Sequence, residues 1–185
     1  MRDPLAHPPT TDEAATWRPA NERDDDVVAE LCRGLYHEDP GPWPGGPRNI
    51  RTTLAALRRE PWRGRAVVAD VGGRVVGYAL LVAFWSNDFG GELCEVDELY
   101  VAPGFRDRGY GAALFAAIEA GDVWPARAVA IALGITPTND RARRLYERLG
   151  FSVAGVSMVK DLGETRDPPL ESGGVRVTKA NDGAK

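Results

Sequence analysis

Two periods of apolar and polar positions run along the chain, and the places where one gives way to the other predict its secondary structure. Val28, Leu31 and Leu35 recur at helical spacing and predict an amphipathic helix over residues 24–36. A second helical stretch follows over residues 50–59. Shorter apolar runs bounded by turn-forming residues predict strands over residues 16–19, 66–71, 74–85, 92–101 and 128–133.

Turn-forming residues separate these segments. Proline and glycine dominate residues 38–47, so this stretch is predicted to be irregular. Gly72-Gly73 lies between two strand-like runs and predicts a two-residue hairpin, and the apolar residues 151–159 predict a closing hairpin. A short strand, two helices, a meander and then alternating strands and helices predict an α/β fold, in which helices pack on a sheet.

Length and local composition predict how the chain is organised. With 185 residues it is long enough to form one domain with a substantial core. The two ends are polar and contain proline or glycine. We therefore expect a flexible arm over residues 1–15, a single domain over residues 16–163 and a disordered tail over residues 164–185.

Charge and apolar content argue against several classes of partner. The net charge is −4 and no cluster of Lys and Arg is interleaved with aromatic residues, which argues against nucleic acid. No apolar run approaches the ~20 residues that span a bilayer, and the N-terminus lacks a signal-peptide pattern. Cys32 and Cys94 have neither metal-site nor disulfide spacing. We therefore expect two reduced thiols, no metal and no membrane partner, and a cytoplasmic protein.

The most informative stretch is ELYVAPGFRDRGYG, residues 98–111. An apolar strand stops at Pro103, and Gly109 and Gly111 introduce an apolar helix. The first N–H groups of a helix have no intrahelical acceptor and lie at the positive end of its dipole, so they attract anions. The two glycines allow the backbone to approach a phosphate closely. This loop is predicted to bind a pyrophosphate.

Two other phosphate-binding motifs do not fit this loop. A P-loop has Lys-Ser or Lys-Thr after its last glycine, whereas Ala112 and Ala113 follow here. A dinucleotide fingerprint needs a third glycine, and the chain has Leu114 at that position. It also needs an acidic residue after the next strand, which residues 128–133 do not provide.

A second segment, residues 138–151, has the pattern of a capped helix. Asn139 is an N-cap candidate, Asp140 complements the helix dipole and Gly150 supplies a stop. RDRGYG at residues 106–111 and NDRARRLYERLGF at residues 139–151 resemble the two halves of the acyl-CoA site of the GNAT N-acetyltransferase superfamily.

This resemblance implies a fold and a cofactor. The fold would be a GNAT-type mixed, mostly antiparallel sheet, splayed between its fourth and fifth strands and flanked by helices. Acetyl-CoA would be the cosubstrate, with its pantetheine arm in the split, and terminal strands would form a homodimer. The resemblance assigns cofactor contacts to Leu99, Tyr100, Val101, Arg106, Asp107, Arg108, Gly109, Tyr110, Gly111 and Asn139.

Acetyl transfer to an amine also needs a group that removes a proton, because an aliphatic ammonium has a pKa near ~10. Strand alternation predicts that Glu95 and Asp97 share one face of the fourth strand and that Glu98 lies on the other. By resemblance, Glu95 and Asp97 align with base positions of different family members, and we favour Glu95. The alternative is that these carboxylates bind a cationic substrate or pair with arginines.

Tyr146 is the candidate general acid. A neutral phenol can protonate the departing thiolate, and the resemblance directs this hydroxyl towards the sulfur of CoA. The alternative role for Tyr146 is packing between a helix and the sheet.

Acidic residues near aromatic ones suit a cationic acceptor. We therefore expect Glu38, Asp39 and Trp85 to contact the acceptor, although Trp85 is equally suited to a core or dimer contact. The predicted function is acetyl transfer to a primary amine of a small polyamine-like or aminoglycoside-like substrate, by direct attack in a ternary complex. The alternatives are a protein N-terminal or lysine acetyltransferase and a non-catalytic acyl-CoA sensor.

Overall fold

The computed structural model describes residues 14–41, 46–124, 128–155 and 157–160. The predicted arm, apart from residues 14 and 15, and the predicted tail over residues 164–185 lie outside the described residues. The chain divides into two compact units, Met1–Ser152 and Val153–Lys185. The described part of the second unit has no regular secondary structure.

The predicted strands are present, with ends shifted by a residue or two. They are β1 (Thr16–Pro19), β2 (Gly64–Val71), β3 (Arg74–Ser86), β4 (Gly91–Val101) and β5 (Ala130–Leu133). They form one sheet in the order β1-β2-β3-β4-β5. Neighbours are antiparallel from β1 to β4, and β5 runs parallel to β4. The sheet is therefore mixed and mostly antiparallel, as expected.

Helices cover both faces of this sheet. They are α1 (Asp25–Glu38), α2 (Ile50–Arg59), α3 (Tyr110–Ala120) and α4 (Asp140–Arg148). Helix α1 packs on β3 and β4, and α2 packs on β2. On the opposite face, the indole N–H of Trp17 in β1 donates a 2.9 Å hydrogen bond to the carbonyl of Tyr110 at the start of α3.

The core lies on both sides of the sheet. Val68 of β2 and Leu81 of β3 are fully buried, as are Val28 of α1 and Leu114 of α3. Each buried side chain of this size contributes roughly 1.5–3 kcal/mol to the free energy of folding. This packing fixes the strands and so fixes the edge of β4 along which the candidate site lies.

One register shift interrupts the pairing of β3 with β4. Leu81 pairs with Val96 and Leu80 pairs with Glu98, so Asp97 is an extra residue in β4. This is a β-bulge, in which one strand gains a residue that its neighbour does not match.

The bulge changes which acidic side chains share a face. Glu95 pairs with Val82 and Glu98 pairs with Leu80, and these two partners lie on the same face of β3. The prediction that Glu98 lies on the face opposite Glu95 is therefore wrong. Simple alternation fails because it does not continue through an unpaired residue.

The predicted closing hairpin over residues 151–159 is absent from its described part. Residues 151–155 and 157–159 have no strand. An apolar run favours burial, but a strand also needs a neighbour that pairs with its backbone, which composition does not encode. Among the described residues no helix is long and apolar enough to cross a membrane.

Candidate active site

The site begins where the pairing of β4 with β5 ends. The parallel pairing joins Leu93–Val96 of β4 to Ala130–Leu133 of β5, and β5 ends there. Strand β4 continues through the bulge at Asp97 to Val101, and Glu98–Val101 keep their pairing with β3. The described part of the chain therefore leaves the β5 side of this stretch open, and the backbone groups there are accessible to another molecule.

A cleft of about 760 Å³ lies along this open stretch of β4. It brings together three sequence-distant segments: the end of β4, the loop before α3, and α4. The predicted residues that line it are Leu99, Tyr100, Val101, Arg106, Asp107, Gly109, Tyr110, Gly111, Asn139 and Tyr146, together with Glu38 and Asp39. Arg108, Glu95, Asp97 and Trp85 do not line it.

The loop before α3 has the backbone geometry of an anion site. Gly109 is the N-cap of α3 and has a φ of 80°, a left-handed conformation that favours glycine. A Cβ on Gly111 would lie 3.0 Å from Cδ2 of Leu145, so this glycine keeps α3 close to α4. The N-terminal turn of α3 opens into the cleft between them, and its N–H groups suit the pyrophosphate of CoA.

Arginine side chains shape this loop. Nε of Arg106 donates to the carbonyl of Val101 at 2.7 Å, and its Nη2 donates to both carboxylate oxygens of Glu38, at 2.8 and 2.7 Å. The Arg108 guanidinium lies over the ring of Phe105, 5.8 Å from its centroid. The guanidinium of Arg106 is therefore already hydrogen-bonded to two other residues of the protein.

Tyr146 faces the cleft from α4. Its ring packs edge-on against Phe115 and Phe151, with centroids 5.8 Å apart in both cases. Burial raises the pKa of the Tyr146 phenol, so the hydroxyl is protonated at neutral pH. Tyr146 therefore combines a packed ring with a protonated hydroxyl, and the residue lines the same cavity as the end of β4.

Asn139 has two contacts within the protein. Its side-chain oxygen accepts from the backbone N–H of Ala142 at 3.0 Å, which caps α4 as predicted. Its Nδ2 donates to Oδ2 of Asp39 at 2.9 Å, and the hydroxyl of Thr136 donates to the same oxygen at 2.8 Å.

The acidic residues of β4 occupy three different environments. Glu95 is exposed on the α1 face of the sheet. Asp97 lies in the bulge and is also exposed, although desolvation by neighbouring atoms raises the pKa of its carboxyl. Glu98 is half-buried beneath α1.

The partners of Glu98 were not predicted. Tyr78 of β3 donates to one carboxylate oxygen and Tyr36 of α1 to the other. Sγ of Cys32 lies 4.0 Å from the first of these oxygens. No local sequence pattern could have predicted this cluster, because Glu98 lies 20 to 66 positions from its three partners.

Trp85 lies near the opposite end of β4 from the glycine loop. It pairs with Glu92, and its side chain is 71% exposed. Phe84 and Phe89, 55% and 61% exposed, are close to it in the chain. The structure therefore separates Trp85 from the cleft that contains Glu38 and Asp39.

Comparison with known proteins agrees with this geometry. Residues 29–151 match the acetyltransferase (GNAT) family. The chain belongs to the GNAT family. Members of this family use acetyl-CoA. The matched range includes β4, the glycine loop and α4, which form the cleft.

Curated GNAT relatives match part of the chain. Uncharacterised N-acetyltransferases of Mycobacterium bovis and Mycobacterium tuberculosis are 36% identical to it over 84 residues. The alignment covers 45% of this chain and 49% of theirs, so the chain spans about half the length of these relatives.

Solved GNAT structures match a larger share. A possible acetyltransferase from Clostridium difficile has a TM-score of 0.67 at 23% identity, covering 80% of this chain and 97% of that one. An aminoglycoside N-acetyltransferase in complex with CoA has a TM-score of 0.63 at 18% identity, covering 82% and 96%. At these identities the likeness shows the fold.

Proposed function

We propose that this protein transfers the acetyl group of acetyl-CoA to a primary amine of a small cationic substrate, such as a polyamine or an aminoglycoside, by direct attack in a ternary complex. The observation that carries the proposal is the cleft itself. It brings the open edge of β4, the N-terminus of α3 and Tyr146 into one cavity.

The residues of the cleft fit CoA. The N-terminus of α3 and its glycine loop suit a pyrophosphate, and the backbone of Leu99 and the N–H of Val101, whose carbonyl already accepts from Arg106, suit the amides of a pantetheine arm. When bound, acetyl-CoA supplies an activated thioester carbonyl. The N–H of Leu99 or Val101 then provides a donor for the oxygen on which negative charge develops.

Asp97 is the better candidate base of the two predicted acids. It lies in the bulge, immediately before the open backbone of β4. Desolvation raises the pKa of its carboxyl, which makes the carboxylate a stronger base. Both carboxylates are exposed, and Glu95, two residues earlier on the α1 face of the sheet, suits contact with the positive charge of the amine. Tyr146 carries the proton that the departing thiolate needs.

The acceptor class follows from the surface beside these acids. Glu95 and Phe84 lie on the same face of the sheet and are both exposed, which offers a cation both a charge and an aromatic ring. One structural neighbour is an aminoglycoside N-acetyltransferase, which is compatible with a small cationic acceptor. We also propose a cytoplasmic location, which the two free cysteines favour, and a homodimer.

The test is thiol release from acetyl-CoA with a panel of amines. Polyamines, aminoglycosides, amino acids and peptides with free N-termini or lysines are compared at equal concentration. Release confined to the polyamines or aminoglycosides is the expected result. Release with the peptides alone would establish a protein acetyltransferase instead. CoA binding in calorimetry without release from any amine would favour an acyl-CoA sensor.

A further inference from the structure

Two adjacent carboxylates at the end of α1 point to opposite walls of the cleft. Glu38 is the last residue of the helix and Asp39 is its C-cap. Glu38 accepts from Arg106, as described, and from the hydroxyl of Tyr100 at 2.7 Å. These two partners flank the turn between β4 and α3.

Asp39 reaches the other wall. Its Oδ2 accepts from the hydroxyl of Thr136 and from Nδ2 of Asn139, which lie in the connection from β5 to α4. The two acids therefore tie α1 to both segments that enclose the cleft. The contacts bridge 62 to 100 positions of the chain, so they hold together segments that local structure does not connect.

The location of these acids is electrostatically unfavourable in the helix alone. A helix C-terminus carries partial negative charge, which disfavours carboxylates there. The hydrogen bonds of Glu38 offset this, and they lower its pKa even though burial alone would raise it. Contacts across the cleft, and not helix formation, are what these two side chains stabilise.

We propose that Glu38 and Asp39 are positioning residues that set the width of the cofactor cleft by bracing α1 against its two walls. This inference rests on the proposed binding of acetyl-CoA in the cleft. On this proposal the two acids support the binding of acetyl-CoA. From the sequence, by contrast, we expected them to contact the amine. Nη2 of Arg106 contacts both carboxylate oxygens of Glu38, which makes this arginine part of the same brace.

The Asp39–Asn139 contact allows a sharp test because its two partners can be exchanged. Asn139→Asp keeps an oxygen that can cap α4 but removes the donor and sets two carboxylates against each other. In the double variant Asp39→Asn/Asn139→Asp, the amide of residue 39 donates to the carboxylate of residue 139. The exchange restores this hydrogen bond with its direction reversed, and the hydroxyl of Thr136, which donates to the same oxygen in the wild type, can turn to accept from the amide.

Binding of CoA is measured by isothermal titration calorimetry on the full chain, with circular dichroism to verify folding. We expect Asn139→Asp and Asp39→Ala to raise the Kd for CoA about tenfold or more, as loss of a part-buried hydrogen bond to a charged group can do. The double variant should return to within about threefold of the wild type. Asp26→Asn, which removes an exposed carboxylate elsewhere on α1, is the control and should leave the Kd unchanged.

An Asp39→Ala protein that is folded and binds CoA with wild-type affinity would overturn the brace. So would a double variant that binds as weakly as Asn139→Asp, because direct contact of Asn139 with CoA would then explain the loss. If Asp39→Ala does not fold, Thr136→Val removes one hydrogen bond with little change of shape, and an unchanged Kd there has the same meaning. Failure of the wild type to bind CoA would contradict the proposed function itself.

Discussion

The hydroxyl of Tyr78 donates a 2.6 Å hydrogen bond to Oε2 of Glu98 on the neighbouring strand, while Tyr36 on α1 donates to Oε1 at 3.0 Å. Burial raises the pKa of this carboxyl above its ordinary value of 4.5, and the two hydrogen bonds oppose that rise only in part. The cluster holds α1 against β4 directly after the bulge. It also makes the stability of the protein depend on pH in a defined direction.

Because the pKa of Glu98 is higher in the folded chain than in the unfolded chain, the folded state binds more protons between those two pKa values. Its contribution to stability is therefore complete below about pH 4.5 and is lost as the pH rises through the folded pKa. In Glu98→Gln this dependence should disappear. Urea unfolding should show the free energy of unfolding of the wild type, minus that of the variant, declining from pH 4 to pH 7.

Tyr78→Phe provides a companion measurement. It removes a hydrogen bond that lowers the pKa of Glu98, so the decline should extend to higher pH than in the wild type. Wild type and Glu98→Gln with parallel pH profiles would show that Glu98 does not titrate differently in the folded state.

Asp97→Asn and Glu95→Gln should separate the roles of the two acids. If Asp97 is the base, its amide variant should lower kcat about 100-fold, the usual effect of losing a general base. Asp97 acts when ionised, and desolvation raises its pKa, so activity of the wild type should fall as the pH drops through that raised value. Glu95→Gln should mainly raise the KM for the amine. The assignment would be wrong if steady-state kinetics across pH showed that Glu95→Gln, and not Asp97→Asn, abolishes the fall in activity at low pH.

Tyr146→Phe should lower kcat by about 100-fold while leaving the Kd for CoA within a factor of about two. Phenylalanine preserves the edge-on packing against Phe115 and Phe151, so only the hydroxyl is lost. Turnover with the identified amine and CoA calorimetry are measured on the same preparation. Equal turnover in the variant would leave Tyr146 as a packing residue.

Gly109→Ala should destabilise the loop before α3, because its φ of 80° costs a residue with a Cβ about 1–2 kcal/mol. We expect weaker CoA binding together with a lower free energy of unfolding. Gly104→Ala is the matched control, since a Cβ there meets no atom within 4 Å. A similar loss in both variants would indicate a general intolerance of the loop to alanine.

Local pattern accounts for most of the fold. Helix α2 has the bounds that its apolar spacing predicts, and the strands differ from prediction by a residue or two at their ends. The segments that form the cleft were also predictable, because the glycine loop and the Asn139 helix each have a compact motif. These motifs fix residue types close together in the chain, where spacing carries the information.

Contacts between distant segments were not predictable. The bulge at Asp97 depends on the register of β3, and the pairing of Glu38 with Arg106 joins residues 68 positions apart. From the residue types we predicted that Trp85, Glu38 and Asp39 contact the same acceptor. In the fold, Trp85 lies away from the cleft that the two acids line. The topology of the fold determines which charged side chains come into contact. A single sequence contains no local signal for these contacts.

The unpaired position of Asp97 also determines which change of length β4 tolerates. The residues on either side of it pair with β3, so a deletion away from the bulge would invert the faces of the strand on one side of the deletion. Deleting Asp97 would instead join Val96 to Glu98 with both in register. The carboxylate that we propose as the base is thus the residue of β4 that has no partner on β3. We expect its deletion to abolish acetyl transfer while the sheet still forms.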